Sequence, residues 1–411
     1  MRNIYNKNME HINKIRNNND VPPESVEAGI DNRMKLIQSW DELELTDDLL
    51  RGIYAYGFES PSDIQKKAIY PLINGHDTIA HAQSGTGKTG AFSISALQLV
   101  DLSSESTQIL IMAPTHELVN QISDVLTALG GFMEGLSIKT LIGGTSTKLD
   151  ILSLQQTVPH IIVGTSGRIT DMINRRHLDI SMVKLMILDE SDEMLSTGFK
   201  EKVYNIFQFL NDKTQISIFS ATMPPEVIQL TNKFMKTPVS IMIKNEELSL
   251  DGISQFYIAS NSDSDKYEIL KDIFQKITVS QCIIYINNIN RIHELHDTMN
   301  KDGYPVCSIH SSMDRTERDT TIQNFKAGKF RMLLSSNLTA RGIDVQQVGT
   351  VINFDIPNCV HTYLHRIGRS GRWGRKGLAI NFVTKNDIYN MRKIEEHYSI
   401  KIPELTNASL G

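Results

Sequence analysis

The stretch Ala82-Gln83-Ser84-Gly85-Thr86-Gly87-Lys88-Thr89 has the residue types of a phosphate cradle. Gly85 and Gly87 allow a turn tight enough to aim successive backbone N–H groups at one point. A helix opening behind them adds the positive end of its dipole. Ser84 through Thr89 would line the cradle, with Lys88 reaching the outer phosphates of a nucleotide and the Thr89 hydroxyl reaching Mg²⁺. One position departs from the usual pattern, Ala82 standing where the first glycine belongs. A glycine-rich turn with no ligand would read the same way, so the neighbouring residues must decide. The second group is Asp189-Glu190-Ser191-Asp192. Carboxylates at the end of a strand, downstream of a phosphate cradle, suit metal and water. Asp189 would hold Mg²⁺ directly or through water, and Glu190 would orient or deprotonate the attacking water. Alone, such a triplet reads as a solvated acidic turn; the cradle and the preceding apolar run favour the metal.

Both groups need elements to hold them. Asp77–His81 reads as a short strand before the cradle and Gly90–Val100 as a helix after it. Ile109–Ala113, Ile161–Gly164, Leu185–Leu188 and Ile216–Phe219 are apolar at consecutive positions, as expected of central parallel strands covered on both faces. Helix-like stretches alternate with them, which predicts a doubly wound α/β domain. Polarity rises at Lys244-Asn245-Glu246-Glu247, and a second set follows: Cys282–Ile286, Met332–Ser335, Thr350–Phe354 and Leu378–Val383, with no cradle of its own. The expected division is a flexible polar arm over 1–38, an α/β domain over 39–243, a linker over 244–251 and a second α/β domain over 252–411. A cleft between two such halves is the natural ligand site, because ligands sit at the carboxyl ends of strands.

Composition sets outer bounds. The 411 residues, 40 % of them hydrophobic, suffice for two or three domains. A net charge of −5 excludes a wholly basic nucleic-acid-binding protein but leaves room for a local basic groove. Cys282, Cys307 and Cys359 lie far apart and form no CxxC pair. They read as reduced, buried thiols of an intracellular protein without zinc. No apolar run approaches the roughly 18 residues of a membrane span, and the N-terminus lacks the apolar core of a secretory signal.

Together with Ser220-Ala221-Thr222, the cradle and the acidic tetrapeptide carry a resemblance to the DEAD-box RNA helicases, from about Ser39 to the C-terminus with the motifs in the family's order. Within the family, the run Asp189–Phe199 and the chain length resemble the subgroup of eukaryotic translation initiation factor 4A. The family has Ala at the place of Ala82, so the irregular position supports the resemblance. Gly57 through Gln65 resembles the adenine-reading motif: the Gln65 amide offers a donor and an acceptor to the base, and Phe58 would stack on it. Trp40 stands 17 residues before Gly57, where the family has an isolated Phe; core packing is its equal alternative. Pro114-Thr115-His116-Glu117-Leu118 matches an RNA-backbone motif, with His116 in place of Arg. A mostly neutral imidazole should weaken that phosphate contact. Gly143-Gly144 and Thr165-Ser166-Gly167-Arg168 match further RNA motifs, Ser166 replacing Pro and Arg168 supplying charge.

In the second half, Asn287 (followed by Asn288) matches an Asn-Thr at a strand end, and Arg318 matches the Arg of a Gln-x-x-Arg motif whose Gln is Arg315 here. Ser336 through Asp344 matches the segment touching both RNA and ATP, Ser336 replacing Thr, Asn337 replacing Asp, and Asp344 bonding the ribose. His365-Arg366-Ile367-Gly368-Arg369-Ser370-Gly371-Arg372 is the strongest signal of this half. By the resemblance, Arg366 and Arg369 would face the γ-phosphate, an effect worth up to about 10³–10⁵ in rate for arginine fingers; alone, three arginines in eight residues read as a solvated basic patch.

The resemblance implies two tandem RecA-like domains behind a polar arm, with ATP and Mg²⁺ between them. Single-stranded RNA or a short duplex would be gripped mainly by its backbone and separated at the cost of ATP. Translation initiation or RNA metabolism would be the setting, the cytoplasm the place with the nucleus as alternative, and regulatory proteins further partners, with no membrane. Two other readings stay open: an ATP-gated RNA clamp of slow turnover, suggested by His116, Arg315 and Asn337, and a small-molecule phosphotransferase.

Overall fold

In the computed structural model, residues 33–82, 85–196, 199–242, 252–276, 280–337, 348–370 and 377–405 are described. The strands of the first half are β1 (Thr78–His81), β2 (Ile109–Met112), β3 (Ile138–Leu141), β4 (Ile161–Gly164), β5 (Leu185–Leu188), β6 (Gln215–Ser220) and β7 (Val239–Met242). Those of the second are β8 (Ile253–Ala259), β9 (Gln281–Tyr285), β10 (Val306–Ile309), β11 (Met332–Ser335), β12 (Val348–Asn353) and β13 (Gly377–Val383). They pair into two sheets, in the orders β3-β4-β2-β5-β6-β1-β7 and β10-β11-β9-β12-β13-β8. Every pairing is parallel. Parallel neighbours require crossovers, and helices supply them.

The central strands β2, β4, β5, β9 and β11 are buried at every position. Covered on both faces, they have no reason to alternate apolar and polar residues. Along β9, Cys282 and Ile284 enter one core, and Ile283 and Tyr285 the other, as a period of two demands. Cys282 and Cys307 are buried, and burial pushes both thiols up to about 12. Cys359 is exposed instead, since it precedes the helix Val360–Ile367 as its N-cap rather than sitting in a strand.

Lys35 and the residues after it belong to one compact unit. Ile37 is fully buried and its N–H donates to the Lys66 carbonyl at 3.2 Å, which fixes this segment to the helix Asp63–Ile73. Residues 1–32 of the expected arm, and the whole of the linker expected over 244–251, lie outside the described residues. Among the described residues no helix is long and apolar enough to cross a membrane.

Candidate active site

A cavity of about 510 Å³ lies at the carboxyl ends of β1 and β5. Its walls include Gly85, Thr86, Gly87, Lys88 and Thr89, with Phe58, Gln65, Asp189 and Glu190, and Arg369 of the second half. Gly85 and Gly87 have φ of 90° and 100°, a region that residues with a Cβ rarely adopt. A Cβ on Gly87 would also lie 2.5 Å from Ser62 Oγ. Ser62 Oγ donates to the Thr86 carbonyl at 2.9 Å and Gln65 Nε2 to the Gly87 carbonyl at 3.2 Å. The segment Ser62–Gln65 therefore props the cradle from behind. Gln65 Oε1 accepts the Ser62 N–H at 2.8 Å. Each end of the amide is thus engaged once inside the protein, which leaves one N–H and one lone pair.

Phe58 lines the cavity with its ring held on two sides. Trp40 stacks at 6.4 Å and Tyr56 meets it edge-on at 4.8 Å. Trp40 is buried and its Nε1 donates to the Phe58 carbonyl at 2.9 Å. Its role is packing behind Phe58, which settles the alternative left open by the sequence. Ser84 and Asp344, both expected at the nucleotide, lie outside the described residues, as does Arg372.

Opposite the cradle, Glu190 Oε1 stands 3.4 Å from Lys88 Nζ, both side chains being almost fully buried. Asp189 is buried at the end of β5, and its carboxyl is pushed up to about 7. Burial is the main cause and Glu190 adds to it, while Lys88 opposes it. A buried carboxylate held above its ordinary range favours a nearby cation. Thr89 and Asp189 present hydroxyl and carboxylate oxygens in the same cavity, the hard donor set that suits Mg²⁺.

The two halves meet around this cavity. Asp192 Oδ2 accepts from Thr222 Oγ1 at 2.7 Å and lies 3.5 Å from His365 Nε2. Thr222 is itself braced by Ser220, whose Oγ donates to the Thr222 carbonyl at 2.6 Å. Arg318 pairs with Glu117 at 3.2 Å, again from one half to the other. Arg369 Nε donates to the His365 carbonyl at 3.2 Å, which seats its guanidinium in the cavity wall.

Two arginines are placed otherwise than expected. Arg366 does not line the cavity. It is fully buried within the second half, donating to Asn287, Asn337, Asn353 and the Asp355 carbonyl at 2.6 to 3.2 Å. Burial lowers it to about 10. Arg168 is also buried, donating to Asp150 and to both oxygens of Thr145. Its charge is paired inside the first half, where it braces the loop after Gly143-Gly144.

The remaining RNA assignments share one pattern. Pro114 and Thr115 follow β2, Gly143 and Gly144 follow β3, and Thr165 follows β4. These strands form one end of the first sheet, β3-β4-β2, whereas the cradle and Asp189 follow β1 and β5. His116 opens the helix His116–Leu129, with its Nε2 3.5 Å from where a Cβ on Gly143 would stand. Thr115 caps that helix, its Oγ1 accepting the Leu118 N–H at 3.2 Å. In the second sheet, Asn287 follows β9 and Ser336 follows the neighbouring β11. The sequence reading missed Tyr56, Gln121 and Val125 in the cavity wall; the helical spacing of Leu118, Gln121 and Val125 was the available signal.

Comparison with known proteins agrees with this geometry. Residues 62–230 match the family model described as DEAD/DEAH box helicase, and residues 265–374 that of the helicase conserved C-terminal domain. An ATP-dependent RNA helicase eIF4A of Chaetomium globosum is 49 % identical over 386 residues, covering 94 % of this chain and 96 % of the relative. S. cerevisiae Dbp5 bound to RNA and ADP BeF3 superposes with a TM-score of 0.83 at 33 % identity, over 90 % of this chain and 96 % of that one. A point variant of S. cerevisiae Dbp5 bound to a Gle1 variant and IP6 gives a TM-score of 0.74 at 32 % identity, over 90 % and 96 %.

Proposed function

The chain belongs to the DEAD-box family of helicases, and from that premise we propose that it is an RNA-stimulated ATPase that separates short RNA duplexes. The observation that carries the reading is the placing of Arg369, from the second half, in one cavity wall with Lys88, Asp189 and Glu190 of the first. Such a site is complete only when both halves are together. RNA laid across the ends of β2, β3 and β4 and of β9 and β11 favours that arrangement, and so favours hydrolysis.

The roles follow from position. Gly85 through Thr89 bind the phosphates through backbone N–H groups, and Phe58 and Gln65 hold the base. Glu190 orients the attacking water and takes its proton, with Lys88 beside it to stabilise negative charge. Arg369 stabilises charge on the transferring phosphoryl group. Thr89 and Asp189 would hold Mg²⁺, which neutralises phosphate charge when bound. Pro114, Thr115, Gly143, Gly144, Thr165, Asn287, Arg318 and Ser336 border the RNA path, and Arg168 shapes it from below. Backbone contacts of this kind give little sequence preference and an affinity that falls with salt.

The named relatives support a role in translation initiation, with the cytoplasm as the place of action and the nucleus as alternative. Regulatory proteins are expected partners, since Dbp5 has been captured with Gle1. The match of both halves to helicase models removes the small-molecule phosphotransferase reading. Separation of a short RNA duplex, followed with and without ATP, tests the proposal. Strand release that requires ATP is expected; RNA retained with ATP and no strand release would identify the slow clamp instead.

A further inference from the structure

Arg366 is among the largest fully buried side chains of the protein. Its guanidinium fork reaches Asn287 Oδ1 at 2.6 Å, Asn337 Oδ1 at 2.6 and 3.0 Å, Asn353 Oδ1 at 3.2 Å and the Asp355 carbonyl at 2.7 Å. Behind it lies the Tyr285 ring, 5.0 Å away. These acceptors stand at the carboxyl ends of β9, β11 and β12, which are consecutive in the sheet as β11-β9-β12. One side chain therefore bridges three neighbouring strand ends.

The same residue sits in the last turn of the helix Val360–Ile367. The Gly368 N–H closes the helix on the Leu364 carbonyl at 2.9 Å, and the Arg369 N–H donates to the Arg366 carbonyl at 3.2 Å. Arg369 thus follows Arg366 with little slack. Asp355 stiffens the other side: its carboxylate accepts from Lys266 at 3.3 Å, Arg291 at 2.8 Å and the Asn287 N–H at 3.0 Å.

We propose that Arg366 is a positioning residue that ties the RNA-facing loops at Asn287 and Ser336 to Arg369, with Asn337 as the adjustable acceptor of the tie. Asn337 is the member that suits adjustment. It is exposed, whereas Asn353 and the Asp355 carbonyl are buried in the sheet, and the likewise exposed Asn287 is held by its Nδ2 on the Ile356 carbonyl at 2.8 Å. It meets the fork with two bonds from one neutral oxygen. A carboxylate in its place makes a charge-assisted pair about twice as strong. A methyl group leaves part of the fork without its acceptor. A tighter tie lowers the cost of placing Arg369 once RNA is seated, so RNA engages at lower concentration.

This inference rests on the RNA-stimulated ATPase reading, and the test separates the two. Phosphate release is titrated with a single-stranded oligouridylate for the parent, Asn337→Asp and Asn337→Ala, with melting temperatures recorded. Asn337→Asp is expected to lower the half-saturating RNA concentration about five-fold and Asn337→Ala to raise it about five-fold, with KM for ATP at saturating RNA within about two-fold of the parent. A merely structural role would lower the melting temperature and kcat without opposite shifts in RNA half-saturation. If the parent is stimulated by RNA and neither folded variant moves the half-saturation by as much as about two-fold, the tie is overturned and the functional reading stands. If RNA does not stimulate the parent, the functional reading falls and the tie with it.

Discussion

Arg369→Ala isolates the contribution that the second half makes to the chemistry. The side chain is 3 % exposed and sits in the wall that holds Lys88, Asp189 and Glu190. In such a poorly hydrated wall a positive group acts on phosphoryl charge at full strength. The lower end of the range for cross-cleft arginines, about 10³ in kcat, corresponds to about 4 kcal/mol of transition-state stabilisation. Nucleotide affinity should change much less, because Phe58, Gln65 and Gly85 through Thr89 all belong to the first half and stay in place. Phosphate release at saturating ATP and RNA, with a fluorescent-nucleotide titration beside it, measures both quantities. Lys88→Ala provides the contrast, losing affinity or turnover from the first half and leaving Glu190 without the cation at 3.4 Å. Hydrolysis by Arg369→Ala at the parent's rate with RNA present would refute the cross-cleft assignment.

Asp189, raised to about 7 by burial, binds its proton more tightly folded than unfolded. Stability of the metal-free protein is then expected to fall as pH rises from about 4 to about 7, and Asp189→Asn to flatten that slope, as thermal melting in chelator would show. Arg168→Ala strips a buried partner from Asp150. Lys139 at 4.0 Å from the second oxygen softens the loss, so about 3 kcal/mol is expected by denaturant unfolding, the lower end for a broken buried pair. His116→Arg, beside Gly143, should tighten RNA binding at fixed salt and steepen the salt slope by about 0.7, measured by titration at several ionic strengths.

Strands such as β4, β5 and β11 were legible to the residue because double-sided burial demands unbroken apolar runs. Most of the strands that the apolar runs did not reveal have surroundings that relax that demand; β10, buried at three of its four positions, is instead interrupted by Ser308 at an edge of its sheet. β3 carries Lys139 and Thr140 at half-buried positions, β7 alternates buried and exposed residues at a sheet edge, and β8 at the other sheet's edge is partly exposed throughout. The cradle was legible because its chemistry is local, a few consecutive backbone groups and one lysine. The arginines were not. Arg168 finds Asp150 across 18 residues of chain, a pairing that no spacing encodes. Arg366 and Arg369 look equivalent in sequence, yet the helix ends at Ile367, so one points inward and the other leaves past Gly368 into the cavity.

The central claim is that RNA completes an active site shared by the two halves. Steady-state phosphate release by the full chain, with ATP and Mg²⁺ in excess and RNA varied from none to saturation, tests it most directly. A rate that climbs at least about ten-fold with RNA is expected, because RNA favours the state in which Arg369 faces Lys88 and Glu190. An equal rate with and without RNA would contradict it.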